Sequence, residues 1–410
     1  MRTIALTLCA LCLLCAGPAQ ATEPRTQDEH PRVLMHYMPW YESPDVRGFW
    51  GGHWTGWQKQ HNPEQLDENG LPDIWSHYHP LIGLYDSADP AVVECQLLQM
   101  KLAGVDGVIA DWYGISDAND YPGIHAATSV LFEQAGRLGM EFSVCYEDRT
   151  VEALVTQGKL AEPEIPEHLT EMVEWLGDHW FGAPHYSTVA GRPLLLNFGP
   201  IYVKDSPAWA AALATAEPRP AFYPLHHLWE GIDGDGGFTW VHKDVWHRPG
   251  EAGNEPTADE ISRRLRAAYL YPGPPDRMIV SATPGFHDVY ANSFGTLDHR
   301  DGATLREHLD VVMDGTWATV QLVTWNDYGE GTMFEPTHEF GYLFLEILQQ
   351  DMRFRDPSFR FTAEDLRLPA KLLDARRSSS HSASRLDEIS LMLAAGNVAG
   401  AREALASPDR

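Results

Sequence analysis

Cysteine is scarce in this chain: 5 in 410 residues, three of them (Cys9, Cys12 and Cys15) inside the first apolar stretch. The other two, Cys95 and Cys145, are expected on a helix and in a strand, where they read as small buried apolar residues. No disulfide framework and no dithiol redox motif is left beyond residue 21. Basic charge is also short, with 30 Lys and Arg against 58 Asp and Glu, a formal net charge of −28. Such a surface repels nucleic acid and anionic lipid, so neither is an expected partner. Beyond the first stretch, no apolar run is long enough to span a bilayer. Several motifs are missing: His-Glu-x-x-His, Cys/His zinc spacing, a Gly-x-Ser-x-Gly elbow and a phosphate-cradling Gly-rich loop. Metal, organic cofactor, serine-hydrolase and kinase chemistry are therefore not expected. Asp233-Gly234-Asp235 opens like a calcium loop, but Gly237 and Phe238 stand where a ligand and the required glycine belong, so a turn is expected there.

The N-terminus has the layout of an export signal. Arg2 is followed by an apolar run from Ile4 to Ala16 and by Ala19-Gln20-Ala21, a small-x-small cleavage pattern. Residues 1–21 are expected to be removed and the remainder to be secreted or periplasmic. A lipoprotein is disfavoured, because Cys12 and Cys15 each have a cysteine, not an aliphatic residue, three positions earlier.

After the leader, strand and helix patterns alternate. Strands are expected at Val33–Trp40, Asp106–Trp112, Glu141–Glu147, Pro193–Phe198, Ala221–His226, Gly237–Val241, Met278–Ala282 and Thr319–Trp325. Several are short continuous apolar runs, as in a parallel sheet covered on both faces. Helices are expected at Ala91–Ala103, Ala126–Leu138, Glu167–Gly177, Pro207–Ala216, Ala258–Ala268, Ala303–Met313 and His338–Gln349, with none between strands five and six. This is the pattern of an α/β protein, a (β/α)8 TIM barrel over residues 31–355. Residues 356–410 read as a helical tail: a closing helix at Leu366–Leu373, a Ser-rich linker at Arg376–Ser384, and a helical hairpin over Leu386–Leu405 that turns at Ala395-Gly396-Asn397.

A barrel of this kind gathers its site at the C-terminal strand ends. Those ends carry His36, Tyr37, Trp40, Asp111, Trp112, Tyr113, Glu147, Asn197, Trp240, His287 and Asp288, and then Trp325-Asn326-Asp327-Tyr328-Gly329-Glu330. Packing alone gives no reason for acids and aromatic rings to recur at the same end of successive strands. Asp327 and Glu330 are the leading pair, with Glu335 close behind; Gly329 and Gly331 allow the tight backbone that sets them apart from ordinary surface acids. Two carboxylates of different protonation are what scission of a glycosidic bond needs. Tyr37, Trp40, His53, Trp54, Trp112, Tyr113, Trp240 and Trp325 are candidate subsite walls, and His36, Asp111, Asn197 and Asn326 candidate hydroxyl partners.

Thr324-Trp325-Asn326-Asp327-Tyr328-Gly329-Glu330 resembles the strand-eight motif of the fungal α-1,3-glucanases of glycoside hydrolase family 71. Gly331-Thr332-Met333-Phe334-Glu335-Pro336-Thr337 is similar to the endo-α-1,2-mannosidases and mannanases of family 99. So are Tyr37-Met38-Pro39-Trp40-Tyr41, Trp50-Gly51-Gly52-His53-Trp54, Leu84-Tyr85-Asp86-Ser87 and Ala103-Gly104-Val105-Asp106-Gly107. The similarity covers most of residues 32–350. It implies an exported glycoside hydrolase acting on α-linked mannan or glucan without a cofactor. Glu330 matches the general acid and Asp327 the base position, where family 99 has a glutamate; Glu147 matches a further substrate-binding acid. In family 99 that base works on the sugar's own 2-hydroxyl, whereas the shorter Asp327 follows the family 71 pattern, so retention or inversion stays open, as do sugar, linkage and endo or exo action. Three other readings are open: a glycan-binding barrel without catalysis, a transferase of polysaccharide assembly, and a purely structural exported barrel whose acids would be scattered and solvated.

Overall fold

A computed structural model describes residues 30–241, 273–313, 317–379 and 381–407, with isolated positions between 257 and 268. The expected leader and most of the expected helix Ala258–Ala268 lie outside the described residues. Eight parallel strands follow the expected order: β1 Arg32–Tyr37, β2 Gly107–Trp112, β3 Glu141–Glu147, β4 Arg192–Phe198, β5 Ala221–Pro224, β6 Gly237–Phe238, β7 Met278–Ala282 and β8 Thr319–Leu322. Each hydrogen-bonds to its chain neighbour from β1 to β5 and from β6 to β8, and β8 returns to β1 with Arg32 opposite Thr319. The sheet curls until its ends meet at a parallel bridge between Leu225 and Phe238, where His226 N donates to the Phe238 carbonyl over 2.8 Å. The result is a TIM-barrel-like sheet.

Alternation along the strands sorts the core into two parts. Leu34, Ile109, Cys145, Leu194, Leu196, Tyr223, Phe238 and Ile279 form the inner cluster. Met35, Tyr37, Val108, Trp112, Val144, Tyr146, Leu195 and Phe222 belong to the larger outer cluster under the helices.

The helices begin and end on recognisable signals. In α1 (Pro90–Ala103), the Asp89 side chain accepts from Ala91 N, Pro90 opens the first turn and Gly104 closes it with φ 97°. Glycine is needed there twice over, since a Cβ would also stand 2.7 Å from the Met352 side chain. The other helices of eight or more residues among those described are α2 Tyr121–Leu138, α3 Arg149–Thr156, α4 Ile165–Leu176, α5 Ser206–Leu213, α6 Ala303–Val312, α7 Leu343–Arg355, α8 Leu368–Ser378, α9 Ala383–Ala394 and α10 Val398–Ala406. None among the described residues is long and apolar enough to cross a membrane.

Several expected boundaries move. Strands one, five, six and eight stop short because the chain leaves the ladder to build turns: Trp325 N, for instance, donates to the His36 carbonyl over 2.6 Å. Helix α7 starts five residues after His338, because Thr337 and Gly341 bond to each other across a turn. Helix α3 had not been expected. Asp233-Gly234-Asp235 is a turn that carries an ion pair: Asp235 accepts from Arg192 and Arg219, both over 2.7 Å. The expected linker Arg376–Ser384 is not one, since Arg376 to Ser378 finish α8 and α9 begins at Ala383. Leu372, Leu373, Leu386 and Ile389 join the outer cluster of the sheet.

Candidate active site

The turn after β8 is fixed by its own backbone. Asp327 N donates to Thr324 Oγ1 and Asp327 Oδ1 accepts from Glu330 N, each over 2.8 Å. The Glu330 and Gly329 carbonyls accept from His287 N and Val289 N, so the segment after β7 holds the turn from outside. Gly331, with φ +66°, passes so close to that segment that a Cβ would lie 2.7 Å from the His287 carbonyl oxygen. From inside, Asn326 stitches the turn to the end of β1: its Oδ1 accepts from Met38 N over 2.8 Å and its Nδ2 donates to the Met38 carbonyl over 3.0 Å. The Asn326 carbonyl accepts from Tyr41 Oη over 2.9 Å.

A cavity of about 540 Å³ opens at the C-terminal ends of the strands. Asp327 and Glu330 face it together with Met38, Trp40, Asp111, Tyr113, Glu147 and Trp240. Four acids thus share one enclosure, and burial is the largest influence on the protonation of Asp327, Asp111 and Glu147. It raises Asp327 above the usual carboxylate range, against hydrogen bonds from the backbone of Glu330 and Gly329. It pushes Asp111 up to about 7, opposed by a hydrogen bond with Tyr113 and reinforced by the charge of Asp327. Glu147 rises to about 8 through burial and the neighbouring Asp111, although it accepts from Arg149 N over 3.1 Å. The side chains that line this space can therefore both donate and accept protons near neutrality. Trp40 stacks on His53 with ring centroids 4.2 Å apart and 6° between planes. His53, 3.4 Å from Asp120, faces a neighbouring cavity of about 730 Å³ that shares Tyr113 as a wall.

Seven expected contact residues lie elsewhere. Tyr37, Trp112 and Asn197 are one residue out of phase with the inward positions of their strands. Tyr37 donates to Gln96 over 2.6 Å, Trp112 packs among Trp175, Trp180 and Tyr146, and Asn197 donates to the Tyr146 carbonyl. Trp54 is buried against Tyr41 and donates to the Tyr85 carbonyl. Trp325 is wholly buried in the outer cluster, and Asn326 is consumed by its bonds to β1. Glu335 is buried behind the turn, where it accepts from Gln96 Nε2 over 2.7 Å and from Tyr85 and Tyr328 Oη over 2.9 Å. The cavity also has walls that had not been expected: Arg149, Phe198, Tyr290, Asn292 and Phe294. Phe198 carried a signal, being the inward neighbour of the expected Asn197. Tyr290 and Phe294 sit on a segment with no strand pattern.

Comparison with known proteins finds glycoside hydrolases among the relatives of this chain. Glycosyl hydrolase family 99 matches residues 28–219. The glycoprotein endo-α-1,2-mannosidase of Mus musculus is 29% identical over 113 residues, 25% of this chain and 24% of that protein. Its counterpart from Xenopus laevis is 30% identical over 113 residues, 25% of each. The chain thus spans about a quarter of the length of these curated relatives. In three dimensions it is similar to the family 99 endo-α-mannosidase of Bacteroides thetaiotaomicron, with TM-score 0.57 and 18% identity over 80% of this chain and 99% of the other. A glycoside hydrolase-like protein gives TM-score 0.54 at 11% identity, over 80% and 97%. Family match, curated relatives and fold point the same way: over residues 28–219 the chain is similar to glycosyl hydrolase family 99, and its fold is that of the family 99 endo-α-mannosidase.

Proposed function

We propose that this protein is an exported glycoside hydrolase that cleaves α-linked glycans, with Glu330 as general acid and Asp327 as base. The observation that carries the reading is the shared enclosure: both groups stand on one rigid turn and face a cavity with two more acids and the rings of Trp40, Tyr113 and Trp240. A sugar bound there would meet apolar ring faces and hydroxyl-binding carboxylates at once. Asp327 is held in place by the backbone of Glu330 and Gly329, which orients its carboxyl group at the cavity. Asp111 and Glu147 are assigned to sugar hydroxyls, Glu147 beside Arg149 at the rim. The names of the relatives put α-mannan ahead of α-glucan as substrate. The same reading includes a complete (β/α)8 barrel over residues 31–355, a helical tail from 356, and a leader removed after Ala21. Protein recovered from the exported fraction is expected to start at Thr22, and a mass still including residues 1–21 would contradict the export claim.

The decisive experiment incubates wild type and Glu330→Gln with a panel of α-mannans and α-glucans and measures released sugar. Loss of a general acid lowers turnover by ~100-fold or more. Equal turnover in the two proteins would remove Glu330 from the mechanism, and tight binding with no hydrolysis by wild type would replace the enzyme with a glycan-binding protein.

A further inference from the structure

We propose that the floor of this cavity is a metal site, in which His36, Asp111 and Cys145 together hold one divalent transition cation of borderline softness, zinc being the type. The residues come from three adjacent strands. Asp111 pairs in register with Cys145, and His36 with Ile109, one inward position before Asp111. All three are buried, and their ligand atoms lie within 4.8 Å of one another. Tetrahedral zinc with bonds of ~2.0–2.3 Å spaces its ligand atoms by roughly 3.3–3.8 Å, so side-chain rotation alone would close the set.

The histidine is oriented from behind. Gln321 Nε2 donates to the Thr239 carbonyl over 2.6 Å, and a carbonyl can only accept. The Gln321 amide oxygen therefore faces His36 Nδ1, at 3.4 Å, and Nδ1 carries the proton. Gln321 stands on β8, on one side of β1, whereas Asp111 and Cys145 stand on β2 and β3, on the other. That leaves the lone pair of Nε2 for the acid and the thiol, and Nε2 is buried without a hydrogen bond. Trp240, edge-on to the imidazole at 4.8 Å, holds the ring in this attitude. An oriented imidazole backed by a carbonyl oxygen is the usual support for a metal-bound histidine. A nitrogen, sulfur and oxygen set suits a zinc-like ion better than calcium or magnesium, which favour all-oxygen shells. Of the three ligands Asp111 alone lines the cavity, so a fourth position would open towards water or a sugar hydroxyl.

Metal binding is read out without any sugar. Chelator-dialysed full-length protein is titrated with Zn²⁺ by calorimetry and with Co²⁺ by absorption spectroscopy. One equivalent of each is expected to bind, with a thiolate-to-cobalt charge-transfer band and a higher Tm. Cys145→Ala abolishes the band and weakens zinc binding at least ~10-fold, as does His36→Ala for affinity; Gln321→Leu, which touches no metal, weakens it by ~10–100-fold. Circular dichroism checks each fold, and Cys145→Ser carries the same test if Cys145→Ala does not fold. Absence of uptake by wild type overturns the proposal, and so does uptake undiminished in both the Cys145 and His36 variants. Glu330→Gln binds metal like wild type, which keeps this result separate from that of the hydrolase assay.

Discussion

Glu335 is a carboxyl group with three hydrogen-bond donors and almost no contact with water, being 1% exposed. Burial outweighs the donated bonds from Gln96, Tyr85 and Tyr328 and lifts it from 4.5 to about 7. The sign of the consequence follows from linkage. The folded protein holds this proton more tightly than the unfolded chain does, so the associated stability is complete below about 4.5 and is lost as pH rises through about 7. The size is on the order of 2–4 kcal/mol, from ~1.4 kcal/mol per pKa unit. Glu335→Gln removes the titration. The difference in Tm between variant and wild type is therefore expected to be more favourable to the variant at pH 8 than at pH 5, measured by thermal denaturation at both. A difference independent of pH would mean that Glu335 does not titrate in this range. His299 and His308 act in the opposite sense. Burial lowers each to about 4, so their contribution is complete above 6.5 and is lost as pH falls through about 4.

At the scale of elements, the turn after β8 depends on Asn326, which does not itself line the cavity. Asn326→Ala leaves Met38 N and the Met38 carbonyl without their side-chain partners beneath the site. Each buried polar group left unpaired costs about 1–3 kcal/mol. Stability is expected to fall by that order, and kcat by ~10-fold or more with KM little changed, because the acids move while the sugar-binding walls stay. Unaltered kcat in a destabilised variant would show that the turn keeps its shape without the stitch. The motif behind this turn was legible in the sequence because all its parts lie within a dozen residues. The ends of β3 and β7 were legible too, at Glu141–Glu147 and Met278–Ala282. Which side of each strand faces inward was not. Strands buried on both faces carry apolar residues at both parities, so Tyr37 and Trp112 look no different from His36 and Asp111 until the sheet has curled. Tyr290 and Phe294 were hidden for another reason: tertiary closure alone brings an irregular segment over the cavity. The grouping of His36, Asp111 and Cys145 spans more than a hundred residues of sequence, so no motif spacing could announce it.

For the molecule as a whole, the question is what fastens the last helices to the sheet's outer shell. Glu94 on α1 is 2% exposed and faces two guanidinium groups. Arg376 of α8 reaches it through two bonds, of 2.6 and 2.9 Å, and Arg137 of α2 through one of 2.5 Å. A carboxylate so deeply buried is tolerable because both its oxygens are occupied by cations. Removing it leaves Arg376 with the exposed Asp387 and Arg137 with Gln134 and Ser390 alone, and breaking a buried ion pair from one side costs about 3–5 kcal/mol. The apolar contact of Leu372, Leu373, Leu386 and Ile389 is the other part of the attachment, and with the buried carboxylate gone the tail is expected to loosen before the sheet does. Glu94→Ala is therefore expected to lower stability by roughly 3 kcal/mol and to admit trypsin after Arg376, Arg377 or Arg385 while the sheet stays intact. Limited proteolysis followed by mass spectrometry of the fragments checks both halves. If those sites stay as resistant as in wild type, apolar packing alone holds the tail. If cleavage begins inside the sheet instead, the last helices are an integral part of its outer shell and not a part docked against it.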